Sequence, residues 1–154
     1  MTIQEKYEQL CAIPSDINEH LPTLKRYASE CSSIVEMGVR SIVSTWALLA
    51  GMPREMTSID IVNPNDIGAN LQEVYVRCAE AGIIFTFIKS NTFNIVIEET
   101  DLLFLDTLHT YEHVKKELEL HGNKARKYII IHDTTHDLAI VPAITEFIQN
   151  NLWH

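Results

Sequence analysis

Ile34-Val35-Glu36-Met37-Gly38 is a short apolar run that stops at a glycine, and Ser44-Thr-Trp-Ala-Leu-Leu-Ala50 follows as a helical stretch closed by Gly51. A strand, a turn and a helix in that order form half of a strand–helix–strand unit. Thr57-Ser-Ile-Asp-Ile61 supplies the next strand. Asn63-Pro-Asn-Asp66 has turn chemistry, and Leu71, Val74-Tyr75 and Cys78 share one helical face that Gly82 closes. Ile83 to Ile88, Asp101 to Leu105 and Tyr128 to Ile131 read as three further strands. Helices are expected over Tyr111 to Leu120 and Ala139 to Asn150. Before the first strand, Ile3 to Cys11 reads as a helix stopped by Pro14. Ser15 or Asp16 is placed to cap a second helix carrying Leu21, Leu24 and Tyr27-Ala28. About five rounds of strand and helix predict an α/β protein: a doubly wound, mostly parallel sheet covered on both faces, behind an N-terminal helical pair. Right-handed crossovers would then bring every strand's carboxyl end to one rim, where open sheets bind ligands.

The rest of the composition narrows the class. The chain has 154 residues, 46% hydrophobic and 21% charged, which fits one folded domain with a sizeable core. A division into a helical cap over 1–32 and a sheet core over 33–154 is expected. The net charge of -9 disfavours duplex nucleic acid and anionic membrane surfaces. No apolar run approaches the ~20 residues of a membrane span, and the polar start Met1-Thr-Ile-Gln-Glu-Lys6 lacks the apolar core of a signal peptide. Cys11, Cys31 and Cys78 are odd in number and widely spaced, so neither a disulfide framework nor a zinc ribbon is signalled, and a reducing cytoplasm is the expected setting.

The expected strand ends carry chemistry. They deliver Glu36 and Gly38, then Asp60, then Ser90 and Asn91, then Asp106 with His109 three residues on, and finally His132 and Asp133. A carboxylate ending the second strand can accept both hydroxyls of a ribose, and can equally cap its own turn. Asp106, His132 and Asp133 could hold one divalent ion, with oxygen ligands favouring Mg²⁺ or Mn²⁺ and histidine tilting toward Mn²⁺ or a softer metal. A core histidine and a loop-capping aspartate are the plain alternatives there. His109 would stand close enough to take a proton from a metal-bound hydroxyl. Asp106, His109 and His132 could instead form a two-histidine, one-carboxylate iron site. His20, His113, His121, His136 and His154 have no ligand spacing and read as surface residues. Trp46 reads as core, Trp153 as a docking residue, and Lys115-Lys116 with Glu117 and Glu119 as an exposed charged helix side.

On Val35-Glu-Met-Gly-Val-Arg40, Val43-Ser-Thr-Trp46, Ser58-Ile-Asp-Ile61, Asp101-Leu-Leu-Phe-Leu-Asp-Thr-Leu-His-Thr-Tyr-Glu112 and Tyr128-Ile-Ile-Ile-His-Asp-Thr134, the sequence resembles the class I S-adenosylmethionine-dependent methyltransferases. The similarity is to the small-molecule and sugar O-methyltransferases grouped with cephalosporin hydroxylase-like and macrolide O-methyltransferase-like proteins. It runs from about Ser33 to Ile148. It implies that Glu36, Gly38 and Ser44 lie at the amino-acid end of S-adenosylmethionine, Asp60 at the ribose, and Ser90 and Asn91 beside the adenine. It further implies Asp106, His132 and Asp133 as ligands of Mg²⁺ or Mn²⁺ and His109 as general base in transfer to a small-molecule hydroxyl. The helical pair would wall the acceptor site, and Asp16-Ile-Asn-Glu-His20 is polar enough to touch a sugar-like substrate.

Two departures from the family pattern set further expectations. Ile42 stands in a turn that is usually glycine-rich. It is β-branched, resists positive φ and adds bulk, which predicts a different turn path or weakened cofactor binding. The family's last two strands are also missing after the fifth. That would leave Tyr128 to Ile131 as an apolar sheet edge, and a homodimer is expected to cover it. A non-catalytic methyltransferase-like binding or assembly domain with a degenerate cofactor site is the competing reading.

Overall fold

A computed structural model of the protein describes residues 1–134 and 137–151. His136, Trp153 and His154 lie outside the described residues. The strands are β1 (Ser33–Met37), β2 (Glu55–Asp60), β3 (Ile84–Lys89), β4 (Thr100–Leu105) and β5 (Ala125–Ile131). They form one parallel sheet in the order β3-β2-β1-β4-β5. The helices are α1 (Ile3–Ala12), α2 (Leu21–Ala28), α3 (Val43–Ala50), α4 (Leu71–Ala81), α5 (Tyr111–His121) and α6 (Val141–Asn151). The order reverses between β1 and β4, the position at which open α/β sheets leave a crevice.

Alternation along the strands sorts the core into two layers. Ile34, Met56, Phe85, Leu102 and Phe104 pack with α1, α2, α3 and α4. Val35, Met37, Ile59, Leu103 and Leu105 pack with α5 and α6. All but one residue of α3 is buried, because α3 is sandwiched between the sheet and the helical pair. Trp46 belongs to that layer and is 3% exposed.

Local chemistry sets the element ends. Thr2 and Glu5 form a reciprocal capping box on α1, Asn70 caps α4 and Thr110 caps α5. The expected cap of α2 does not form. Ser15 Oγ accepts from the Ile17 amide, while α2 begins after a 3₁₀ turn over Asn18–His20 with Pro22 in its first turn. The β3–β4 connection departs from the alternation of strand and helix. It has a single 3₁₀ turn, Thr92–Asn94, and then an extended strap over residues 95–99, with no α-helix. Among the described residues that strap alone overlies β3 on the α5/α6 face; Ile84 stays 60% exposed and a shallow hollow of about 270 Å³ opens beside it.

β5 pairs with β4 alone among the described residues. Tyr128 stacks edge-on against Tyr27 and donates its hydroxyl to Glu30, while Lys127 Nζ donates to the Glu30 carbonyl. The helical pair is thereby tied to the outermost strand.

Candidate active site

Four backbone hydrogen bonds prolong the sheet by one residue past the ends of β1, β3, β4 and β5. The Gly38 amide donates to Ile59 O, Ser90 to Asp60 O, Asp106 to Met37 O and His132 to Leu105 O. Ser90, Asp60, Gly38, Asp106 and His132 therefore line one rim in strand order. Four inter-strand steps of about 4.8 Å make that rim roughly 19 Å long.

In the middle of the rim Glu36 is fully buried. Its Oε2 accepts from Ser44 Oγ at 2.7 Å, and its Oε1 accepts from Thr45 Oγ1 at 2.6 Å and Ser58 Oγ at 2.9 Å. Burial pushes this carboxyl up to about 7, although the three hydroxyls pull it down. Glu36 and Ser44 thus bind each other and fasten β1 to the start of α3, rather than facing an open crevice. Gly38 sits at φ +93, and the space where a side chain would stand is filled by the Asp106 backbone. Its lack of a Cβ serves the approach of β1 to β4.

Asp60 is occupied by its own loops. Its Oδ2 accepts from the Val39 amide at 2.7 Å and the Arg40 amide at 3.1 Å, and its Oδ1 accepts from Val62 at 3.0 Å. Both lone pairs of Oδ2 are thereby taken, and one remains on Oδ1, enough for a single hydroxyl. Beside it Ile61 is 64% and Val62 39% exposed, an apolar pair that sequence reading passed over. At the β3 end, Asn91 Oδ1 accepts from the Phe93 amide and Ser90 Oγ donates to Asn91 O, so these side chains also shape their loop.

The β1–α3 turn keeps a left-handed path despite its residues. Arg40 has φ +50 and Ile42 φ +71. Ile42 is 2% exposed and packs in the core layer with α3, so its side chain adds no bulk to the cleft. Burying an isoleucine contributes about 1.5–3 kcal/mol, which offsets the roughly 1–2 kcal/mol that a left-handed residue costs.

At the other end of the rim four groups meet. Asp106 Oδ1 lies 3.2 Å from both His109 Nε2 and His132 Nδ1. Asp133 Oδ2 lies 3.3 Å from His132 Nδ1 and 3.7 Å from His109 Nδ1, and Asp137 approaches His109 at 3.9 Å. One ligand atom from each of Asp106, His109, His132 and Asp133 falls within 4.8 Å of the others. Asp133 holds φ +64, a strained conformation of the kind that gathers at functional sites. The hydrogen bond to Asp106 raises the His132 pKa against the opposing effect of burial. The cleft above, about 300 Å³, is walled by Asp16, Arg40, Leu108 and Asp137. Asp16 and Asp137 add carboxylates, while Arg40 is turned to Asp16 in an exposed pair.

A third set of groups supports these loops. Glu117, expected on an exposed helix side, is fully buried and accepts from Thr92 Oγ1 at 2.7 Å and Thr107 Oγ1 at 2.5 Å. His113 Nε2 lies 3.4 Å away, and His121, also expected at the surface, is buried with Nε2 2.7 Å from the Thr92 carbonyl. One helix thereby pins the β3–β4 loop and the residue next to Asp106. The buried thiols of Cys31 and Cys78 are pushed up to about 11 and about 12 by burial, and all three cysteines are free.

The parallel β3-β2-β1-β4-β5 sheet, its crevice at the β1/β4 reversal and helices on both faces define a Rossmann-like α/β protein with the class I methyltransferase fold. The O-methyltransferase TomG from Streptomyces achromogenes, solved with S-adenosylmethionine and involved in tomaymycin synthesis, superposes with a TM-score of 0.60 at 14% identity, over 97% of this chain and 78% of that one. The Podospora anserina methyltransferase PaMTH1, bound to S-adenosylhomocysteine, gives 0.60 at 16% identity over 99% and 79%. A Bacillus cereus O-methyltransferase with S-adenosylhomocysteine gives 0.53 at 15% identity over 99% and 79%. No family model matches the sequence. No curated protein matches it either.

Proposed function

We propose that this chain is an S-adenosylmethionine-dependent O-methyltransferase acting on the hydroxyl of a small molecule or sugar, assisted by Mg²⁺ or Mn²⁺. The observation that carries the reading is the meeting of Asp106, His109, His132 and Asp133 on the same rim as Gly38 and Asp60. The fold shared with cofactor-bound O-methyltransferases supports it.

Asp60 and the apolar pair Ile61 and Val62 suit the ribose and adenine, with Ser90 and Asn91 closing that end. Glu36 and Ser44 act from below by fixing the turn at Gly38. Asp106, His132 and Asp133 suit a divalent ion, their mixed oxygen and nitrogen donors favouring Mn²⁺ over Mg²⁺. When bound, the sulfonium cofactor supplies the methyl group and the ion makes the acceptor hydroxyl more acidic. His109, braced by Asp106 on one side and by Asp133 and Asp137 on the other, takes the hydroxyl proton. The rim's remaining contribution is orientation of the two reactants.

Calorimetric titration with S-adenosylhomocysteine should give saturable binding, and Mn²⁺ should raise the melting temperature. Asp106→Ala should abolish the Mn²⁺ response. No binding at millimolar S-adenosylhomocysteine overturns the cofactor half, and an unchanged Mn²⁺ response in the variant overturns the metal half.

The occupation of Asp60 by three backbone amides favours one competing reading, a binding or assembly module with a degenerate cofactor site. The same titration separates the two. We further assign the protein to the cytoplasm as one domain and a homodimer. Among the described residues no helix is long and apolar enough to cross a membrane, and the open side of β5 supports self-association. A monomeric mass in light scattering at micromolar concentration overturns the dimer.

A further inference from the structure

Glu117 stands where α5 buries hydrocarbon. Val114 and Leu118 of the same helix pack in the layer beneath the sheet, and Glu117 is 0% exposed beside them. An aliphatic side chain would fill that position without the cost of stripping water from a carboxylate. The carboxylate is matched instead by hydroxyls from two loops, one on each oxygen. Oε2 accepts from Thr92 Oγ1 at 2.7 Å and Oε1 from Thr107 Oγ1 at 2.5 Å, with His113 Nε2 3.4 Å from Oε2.

The two loops belong to different ends of the rim. Thr92 follows Ser90 and Asn91, and Thr107 stands between Asp106 and His109. The first loop has only its 3₁₀ turn. Its hold on α5 is made by Glu117, by His121 Nε2 at 2.7 Å from the Thr92 carbonyl, and by Phe93, whose ring centroid lies 4.5 Å from that of His113. The second loop is fixed at its two ends, by the Asp106 amide on Met37 O and by Thr110 capping α5. Between those ends Glu117 holds the Thr107 hydroxyl.

We infer that Glu117 is a positioning residue for both halves of the site. Through Thr92 it sets the loop at the nucleoside end, and through Thr107 it sets the turn that presents Asp106 and His109 to an ion. The naming of those halves rests on the methyl-transfer reading, whereas the two-loop clamp rests on the hydrogen bonds alone. A role confined to packing would loosen every part of the rim together. A clamp divided between two oxygens makes the ends separable, because each hydroxyl can be removed without touching the other.

Thr92→Val and Thr107→Val remove one hydroxyl each and keep the β-branched shape. Glu117→Leu removes the carboxylate and keeps an apolar filling, while Glu117→Gln retains hydrogen-bonding groups for both loops. Calorimetric titration with S-adenosylhomocysteine and with Mn²⁺ reads the two ends. Amide exchange followed by NMR reads them without ligand, at Asn94, bonded to the Asn91 carbonyl, and at Thr110, bonded to the Leu108 carbonyl. Thr92→Val should weaken S-adenosylhomocysteine and speed Asn94 exchange, each about tenfold, the equivalent of one hydrogen bond to a charged group. It should leave Mn²⁺ affinity and Thr110 exchange unchanged. Thr107→Val should do the converse. Glu117→Leu should show both losses, and Glu117→Gln should recover most of each. Parental affinities and exchange rates in Glu117→Leu, or equal losses at both ends from either threonine variant, overturn the clamp. Should Glu117→Leu fail to fold, the two threonine variants decide by the same criterion. If exchange splits as expected while the parent protein binds neither S-adenosylhomocysteine nor Mn²⁺, the clamp stands and the methyl-transfer reading falls.

Discussion

Gly38→Ala should lower the unfolding free energy by about 3–5 kcal/mol, a large share of what a domain this size possesses. A Cβ on residue 38 would lie 2.6 Å from the Asp106 carbonyl carbon and closer still to its oxygen, and the residue is held at φ +93. Neither neighbour can yield cheaply, because the Asp106 amide is hydrogen-bonded to Met37 and the Gly38 amide to Ile59. Accommodation would pry β4 from β1 where the rim groups converge. Urea unfolding measures the loss, and S-adenosylhomocysteine titration should fail in the same variant. Near-native stability would mean that the turn after β1 follows a different course.

Glu36→Gln carries the other large effect, and its sign depends on pH. The folded carboxyl titrates at about 7 because it is wholly buried, against an ordinary value of 4.5. As pH rises between those values, the unfolded chain releases its proton first. Stability is therefore full below about pH 4.5, falls through the interval and levels off above 7, a total loss of about 3 kcal/mol. The amide cannot ionise, so the variant should lose that slope and overtake the parent protein above pH 7. His132, whose pKa is also raised, loses its contribution as pH climbs past its folded value. That part is common to both proteins and cancels. Unfolding curves at pH 5 and pH 8 decide the matter, and identical slopes would show that Glu36 is charged in the fold.

The sheet was readable because its strands are short apolar runs bounded by turn residues, and the rim residues followed from knowing where strands end. What the sequence concealed depends on long-range partners. Glu117 sits among lysines and glutamates, so its helix looks solvated. Only the arrival of Thr92, 25 residues away, and Thr107 turns that position into a buried acceptor. His121 was hidden for the same reason, its partner being a loop carbonyl. Asp60 was visible as a strand-end acid, but its three amide partners are set by how the flanking turns fold back. Ile42 shows the converse. Its residue type argued against a left-handed turn, yet burial in the α3 layer holds it there. The sequence offers no helix between Ser90 and Glu99, and the structure has only a 3₁₀ turn there.

His132 and Asp133 hang from the outermost ladder of the sheet, whose far side is unpaired among the described residues. Fraying of that ladder would carry both side chains away from Asp106 and His109, so transient opening and ligand occupancy are thermodynamically linked. Any cation that engages them acts as a zipper, slowing amide exchange along Tyr128 to Ile131, and part of its intrinsic affinity is consumed in closing the margin.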